Sequence, residues 1–126
     1  MSRLTAGTLV DARKYPLDHL PVEPWQKVHP AATTASQILD VSTGAELGLW
    51  EMSAGRMTDI EVDELFVVLT GSATLEFISP QMPSIELQSG SIVRLEEGMQ
   101  TRWTVIDAPL RKLYILPSKI EGENGD

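Results

Sequence analysis

The sequence predicts an all-β domain whose short strands form a sandwich or a barrel. From Ser36 onward, apolar and polar residues alternate with a period of two, which is the spacing of a strand with one buried face. Turn residues interrupt this alternation at short intervals, and no window shows the sustained spacing of a helix. The 126 residues suffice for one domain with a substantial core.

The composition divides the chain into an arm, a barrel and a tail. Residues 1–33 contain four prolines, which interrupt regular elements, but also Trp25 and several leucines. We therefore expect an arm that packs on the barrel, with a short strand at residues 8–10. Residues 34–118 form the barrel, and the acidic residues 119–126 predict a disordered tail.

Nine strands are predicted in the barrel region. Turns at Gly44, Gly71 and Gly90 separate several of these strands, and a proline-containing turn at residues 107–109 separates the last two. The expected strands are 36–41, 45–53, 56–58, 64–70, 73–78, 84–87, 91–95, 101–106 and 110–116.

Segment 55–71, with the sequence GRMTDIEVDELFVVLTG, carries the strongest functional signal. Glu64 stands at the start of an otherwise apolar strand. Its carboxylate therefore faces desolvation and needs a partner or a chemical purpose. This position predicts a site inside the barrel, with Phe66 and Val68 pointing inward beside Glu64.

The opposite face of the same strand predicts an interface. Leu65, Val67 and Leu69 point outward and are apolar as well. A strand that is apolar on both faces must be covered on both faces. The cover is either a second sheet together with the N-terminal arm or a second subunit, and we expect a homodimer that is built partly on this outer surface.

The bulk composition weighs against several functions. The net charge of −8, with no cluster of basic residues, disfavours nucleic acids and anionic membrane surfaces as partners. The lack of cysteine excludes disulfides, thiolate catalysis and sulfur-ligated zinc. The first residues lack the apolar core of a signal peptide, and no apolar run has transmembrane length, so we expect a cytoplasmic protein.

Five segments between Leu47 and Leu116 occur in a recognisable order. They are GLWEMSAG, DELFVVLTG, GSIVRLEEG, RWTV and RKLYIL. In order and spacing they resemble the cupin superfamily, and most closely the small branch of ethanolamine-utilisation and ureidoglycine-aminohydrolase-like cupins. The resemblance implies a double-stranded β-helix, which is a jelly-roll barrel.

The resemblance also locates a metal site that this chain has altered. Metal-dependent cupins hold their ion with three histidines and one glutamate, and the corresponding positions here are Met57, Asp59, Glu64 and Thr101. Only Glu64 keeps its residue type, and both histidines of the chain lie in the arm. This mixed set suits no common divalent transition metal. We therefore predict no metal cofactor.

Asp59 and Glu64 are the candidate catalytic residues. The resemblance directs both carboxylates into one cavity, where mutual repulsion would raise one pKa and create an acid/base pair. The alternative is a structural Glu64 that is either hydrogen-bonded to the backbone or paired with an inward arginine, for which Arg94 is the best candidate. Glu61 and Asp63 are expected to point to water. A hard cation held by the acidic loop is a further alternative.

Aromatic residues are predicted to wall a ligand pocket. Trp50, Trp103 and Tyr114 fall in the inward phase, as does Thr101. Core filling is the other interpretation of these rings. The candidate ligand-binding residues are Met57, Asp59, Glu64, Thr101, Trp103, Tyr114, Trp50 and Arg94.

Three functions remain open from the sequence. The first is binding of a small molecule in the barrel interior without a transition metal. The second is a metal-independent isomerase or lyase that uses Asp59 and Glu64 as acid and base, with Trp103 and Tyr114 shaping the pocket. The third is an accessory structural dimer, which acts through its apolar surfaces.

Overall fold

Two long antiparallel strands organise the fold in the computed structural model, which describes residues 4–117. The strands are β1 (Leu20–Pro21), β2 (Lys27–Val28), β3 (Thr33–Asp40), β4 (Glu46–Met52), β5 (Gly55–Ile60), β6 (Glu64–Ser79), β7 (Met82–Leu87), β8 (Ile92–Leu95) and β9 (Gln100–Leu116). A short 3-10 turn, Pro24–Gln26, precedes β2. No helix within the described range has the length and apolar character needed to cross a membrane.

The sheet curls because β6 and β9 take part in both of its halves. The start of β6 pairs with the end of β9, and the end of β6 pairs with the start of β9. β4 adds to the end of β9, whereas β5 adds to its start. One half of the sheet therefore runs β1-β3-β4-β9-β6-β8, and the other runs β2-β5-β9-β6-β7. The predicted all-β barrel architecture is confirmed.

The predicted turn at Gly71 is wrong, because β6 continues through this residue. Gly71 has a φ of +84°, and a Cβ built there would lie 2.3 Å from the carbonyl oxygen of Pro109. Register shifts on both sides of Gly71 mark bulges, which let the strand bend from one half of the sheet to the other. The expected turn at residues 107–109 likewise lies inside β9. Four of the predicted strands thus merge into two.

The arm differs from its prediction in one element. No strand forms at residues 8–10, where Thr8 instead bonds back to the carbonyl oxygen of Thr5 in a turn. Among the arm residues that the structure describes, β1 adds to β3 and β2 adds to β5, and Ala31 forms an isolated bridge with Arg56. The tail predicted at 119–126 lies outside the described residues.

The two halves of the sheet enclose one apolar core. Phe66, Val68 and Leu75 on β6 are at most 2 % exposed, and Trp103 and Leu110 on β9 are as deeply buried. Leu65 lies between the inward residues Glu64 and Phe66 and is 45 % exposed, as the alternation predicted. These apolar side chains therefore fill the interior of the barrel. Space for a functional site is left at its open end.

The outer face of the sheet is covered in one part and open in another. Glu51 and Leu49 lie on the outer face of β4 and are buried, because the arm crosses the sheet there and bonds to it through Arg111 and His19. Beyond the arm lies an apolar groove. It is lined by Leu65, Phe66, Val67, Ile92, Leu113 and Ile115.

Candidate functional site

A cavity of about 220 Å³ opens at the end of the barrel where β5 passes into β6. Strands β4, β6 and β9, which lie side by side at this end, supply its aromatic side chains together with Glu64 and Lys112, whereas Asp59 comes from β5 and Glu61 from the segment between β5 and β6. Apolar side chains of Ile60, Val62 and Leu116 line it, together with the small Ser36. The rest of the lining is four ionisable and three aromatic side chains, and their arrangement decides what the cavity can hold.

Lys112 and Glu64 form a buried ion pair in the cavity wall. Lys112 Nζ lies 2.6 Å from Glu64 Oε2, and the two side chains are 5 % and 8 % exposed. Within residues 4–117, this oxygen meets no donor besides the ammonium. The carboxylate that the sequence left without a partner is therefore neutralised by a lysine. The prediction that an arginine fulfils this role is wrong.

Three aromatic rings surround the same ammonium. Lys112 Nζ lies 4.6 Å from the ring centroid of Trp50, 4.3 Å from that of Phe66 and 4.9 Å from that of Trp103. The register explains the contact, because Trp50 faces Lys112 directly across β4 and β9. Each ring attracts the cation through its negative face, and burial strengthens the attraction. We call these three rings together with Glu64 the ammonium cage.

Glu61 is held inside the cavity, although the sequence predicted it in water. It is 5 % exposed, and its Oε2 accepts bonds from Thr101 Oγ1 at 2.6 Å and Trp103 Nε1 at 3.1 Å. Burial raises the pKa of Glu61, as does the charge of Asp59, while the Thr101 bond opposes the rise. Two backbone bonds fix this position, because the Glu61 N–H donates to the carbonyl oxygen of Met99 and the Gly98 N–H donates to that of Glu61, which joins two loops at the barrel rim.

Asp59 lines the cavity beside Glu61, as predicted from the resemblance. Its Oδ1 accepts a bond from Gln26 Nε2 in the arm at 3.1 Å and from the Ile60 backbone at 2.9 Å. Burial raises the pKa of Asp59, and the charge of Glu64 adds to the rise. Asp63, in contrast, accepts a bond from the backbone of Glu97 and does not line the cavity.

Tyr114 completes the aromatic wall. Its hydroxyl donates to Glu46 Oε2 at 2.9 Å, and burial together with this carboxylate raises the pKa of Tyr114. The ring lies across Gly48, where a Cβ would come within 2.3 Å of Tyr114 Oη. The glycine thus provides the space in which the ring lies.

The structure brings five of the eight predicted ligand-binding residues to one cavity. These are Trp50, Asp59, Glu64, Trp103 and Tyr114.

The other three residues lie elsewhere, which corrects their predicted place. Met57 is 1 % exposed and packs within the apolar core. Thr101 is fully buried, and its hydroxyl is bonded to Glu61 beneath the cavity. Arg94 is on the outer face because Val93 and Leu95 take the inward positions of β8. Its side chain is 64 % exposed and pairs with Glu96 at the surface.

Sequence reasoning missed Lys112 and misplaced Glu61. A signal for Lys112 was present, since it lies two residues before Tyr114 and therefore shares its inward phase. A lysine in that phase beside an inward glutamate predicts their pairing. No comparable local signal marks Glu61, because its partners lie about forty residues away in the chain.

The donor set does not fit a metal ion. Glu64 is paired with an ammonium, the Thr101 hydroxyl is bonded to Glu61, and Met57 lies in the core. Among residues 4–117, no group of three or more histidine, aspartate or glutamate side chains is arranged to hold an ion. Of the positions suggested by the resemblance, only Asp59 is left to offer an oxygen, and one ligand does not hold a divalent ion.

Comparison with known families gives one match. The family model of the EutQ-like cupin domain matches residues 40–114, which contain most of the cavity lining. A comparison with curated proteins finds no match.

Solved structures share the fold at low sequence identity. A protein of unknown function of the DUF861 family from Pseudomonas syringae superposes with a TM-score of 0.66 and 21 % identity, over 82 % of this chain and 45 % of that chain. The EutQ protein of Clostridium difficile gives 0.57 and 18 %, over 76 % and 71 %. A DUF1255 protein from Acidithiobacillus ferrooxidans gives 0.54 and 22 %, over 85 % and 98 %. This chain therefore spans less than half of the Pseudomonas protein.

Proposed function

Because the chain belongs to the EutQ-like cupin domain family, we propose that it binds a small molecule in the cavity at the open end of its barrel, without a transition metal. The observation that carries this proposal is the cavity itself. It has a volume of about 220 Å³, and aromatic walls surround a few convergent ionisable groups. Mostly apolar walls with a few placed polar groups are typical of small-molecule sites.

The size and charge of the cavity restrict its ligand. Sites for drug-sized molecules enclose roughly 300–1,000 Å³, so a volume of about 220 Å³ suits a smaller metabolite. Glu64 is neutralised by Lys112, whereas Asp59 and Glu61 remain as hydrogen-bonding groups for the ligand. A compact molecule with several polar groups fits this lining best.

Ligand binding is tested with a variant that fills the mouth of the cavity. Ser36→Phe places a large side chain at an exposed lining position, and Ser84→Phe makes the same change on β7, away from the cavity. Native mass spectrometry with metal analysis reports any retained molecule, and a thermal-shift screen of small polar metabolites follows. We expect a compound that stabilises the wild type and Ser84→Phe but not Ser36→Phe. Equal stabilisation of both variants, or no bound compound at all, contradicts the proposal.

Proton transfer is a second candidate function. Burial raises the pKa of both Asp59 and Glu61. Carboxyl groups with a raised pKa serve as general acids and bases in enzymes. The sequence suggested Glu64 as the second group of an acid/base pair with Asp59. In the structure, Glu64 is instead paired with Lys112. Asp59→Asn should then abolish turnover of an identified ligand while it leaves binding measurable. Unchanged turnover in this variant contradicts the catalytic alternative.

We further propose that the chain forms a homodimer in the cytoplasm through the apolar groove on its outer face. Every residue that lines this groove is apolar, and Ile92 on β8 is 76 % exposed. Within the described residues, β8 pairs only with β6, so its second edge is open. Unpaired apolar edges of this kind invite association with another strand.

A second copy matches the charges on this edge. Arg94 and Glu96 are two residues apart, and the side chains of both are exposed. Arg94 Nη2 lies 3.4 Å from Glu96 Oε2. An antiparallel pairing of β8 with its copy, centred on Leu95, places each Arg94 opposite the Glu96 of the other copy. Such a self-complementary arrangement is what a two-fold interface requires.

A further inference from the structure

We infer that the ammonium cage is a cation-binding site that the chain fills with its own Lys112, so that an ammonium group and not a metal ion balances the charge of Glu64. The inference concerns the same cavity and deepens the metal-free part of the proposed function. Lys112 supplies the positive charge inside the barrel. The chemical class that the cage accepts is a primary alkylammonium.

The geometry of the cage is that of an ammonium site. The Lys112 side chain is 5 % exposed, and its Nζ lies within 5 Å of three ring centroids and 2.6 Å from a carboxylate oxygen. Rings placed around a cation in this way are the means by which proteins recognise organic ammonium groups. The Glu64 carboxylate adds the single negative charge that makes the site neutral when it is occupied.

The same geometry disfavours a metal ion. Aromatic rings offer no lone pairs, and a transition metal is bound through nitrogen, sulfur or oxygen donors. Among residues 4–117, Lys112 Nζ forms an ion pair with Glu64 Oε2, which is an oxygen donor of this kind. A divalent ion that entered would also meet the positive charge of the lysine. The cage therefore selects an ammonium over a metal by both its donors and its charge.

Removal of the lysine side chain empties the cage and provides the test. Lys112→Ala deletes three methylene groups and the ammonium, which are the atoms that n-propylammonium contains. The variant leaves Glu64 buried without its partner, which destabilises the fold. Added propylammonium should reoccupy the cage, restore the charge balance and raise the thermal midpoint.

The experiment compares propylammonium with propan-1-ol, which has the same length but no charge, at equal ionic strength. We expect a saturable rise of the midpoint of Lys112→Ala with propylammonium, a much smaller rise with propanol, and no response of the wild type. In Lys112→Ala/Glu64→Gln the rise should be strongly reduced, because the carboxylate is gone. Lys27→Ala is the matched control, since Lys27 is exposed on β2.

Several outcomes overturn the inference. One is an equal response to propanol, and another is an equal response of the wild type. A third is the failure of Lys112→Ala to fold in propylammonium while the neutral pair Lys112→Met/Glu64→Gln folds. A fourth is one manganese, nickel or zinc ion per chain in wild-type protein that was stripped with a chelator and reloaded. If no metabolite stabilises the wild type while propylammonium still stabilises Lys112→Ala, the proposed function is contradicted and the inference about the cage stands.

Discussion

Arg111 and Glu51 join the N-terminal arm to the barrel. Arg111 Nε donates to Glu51 Oε1 at 2.7 Å, and its Nη1 donates to the carbonyl oxygens of Ala12 and Tyr15 at 2.8 Å each. The other carboxylate oxygen of Glu51 lies 2.6 Å from His19 Nε2. One buried carboxylate thus connects a strand of the sheet to the arm that crosses it.

Substitution of Arg111 should release the arm. Arg111→Met leaves the Glu51 charge buried with His19 alone, and we expect a loss of about 3 kcal/mol in the free energy of unfolding. Trypsin should also cleave faster after Arg13, which is exposed in the arm. Urea denaturation and limited proteolysis measure the two effects.

Arg94→Met is the matched control for this change. Its ion pair is about two-thirds exposed, so the loss should stay below about 1 kcal/mol. Equal effects of the two substitutions would refute the role of Arg111 in holding the arm.

Acid should weaken the same connection. Burial alone would raise the pKa of Glu51, but hydrogen bonds from His19 and Arg111 lower it below its ordinary value of 4.5. A carboxyl group with a lowered folded-state pKa stabilises the fold above its unfolded-state pKa, and this stability is lost as pH falls through the folded-state value. The wild type should therefore lose stability below about pH 4.5 more steeply than Glu51→Gln. Parallel pH profiles of the two proteins would contradict this expectation.

The fold was predictable because strand alternation is a local signal. The inward phase of Glu64, Phe66 and Val68 follows from their spacing alone, and the structure shows all three buried. The motif order then identified the jelly roll, and five of the predicted ligand-binding residues line the cavity. Each of these inferences needs only positions within one strand or one motif.

The details that escaped prediction depend on partners far along the chain. The backbone of Pro109 leaves no space for a Cβ at Gly71, and the buried Glu61 accepts a bond from Thr101. A glycine between two apolar runs predicts a turn as readily as a bulge, so the sequence alone does not distinguish them. The pairing of Glu64 with Lys112 likewise requires the register of β6 with β9.

Gly48 should be intolerant of even one added carbon. In Gly48→Ala the Cβ would lie 2.3 Å from Tyr114 Oη, so the ring must move and lose its bond to Glu46. Overpacking of this kind costs about 1–3 kcal/mol. In a double-mutant cycle, Gly48→Ala/Tyr114→Leu should lose less stability than the sum of the single substitutions, because the smaller side chain relieves the clash. Additive losses would show that the ring does not limit position 48.

Glu61 should produce the opposite pH dependence to Glu51. Burial raises the pKa of Glu61 above its ordinary value of 4.5. The folded state then holds this proton at a pH at which the unfolded state has lost it, so stability decreases as pH rises from the unfolded-state to the folded-state pKa. Glu61→Gln keeps an oxygen that accepts bonds from Thr101 and Trp103, but it removes the carboxyl group that titrates. Its free energy of unfolding, relative to the wild type, should therefore increase across this interval, and a constant difference would contradict the assignment.

The proposed dimer predicts a difference between two exposed isoleucines. Ile92 on β8 is 76 % exposed beside the apolar groove, and Ile106 on β9 is 66 % exposed away from it. Ile92→Lys places a charge in the apolar contact, where burial without a partner is costly. Light scattering after size exclusion should then show the wild type and Ile106→Lys at twice the chain mass of 13.9 kDa, with Ile92→Lys at one chain mass. A dimer that persists in Ile92→Lys would show that the interface lies elsewhere. A monomeric wild type would contradict the proposed dimer.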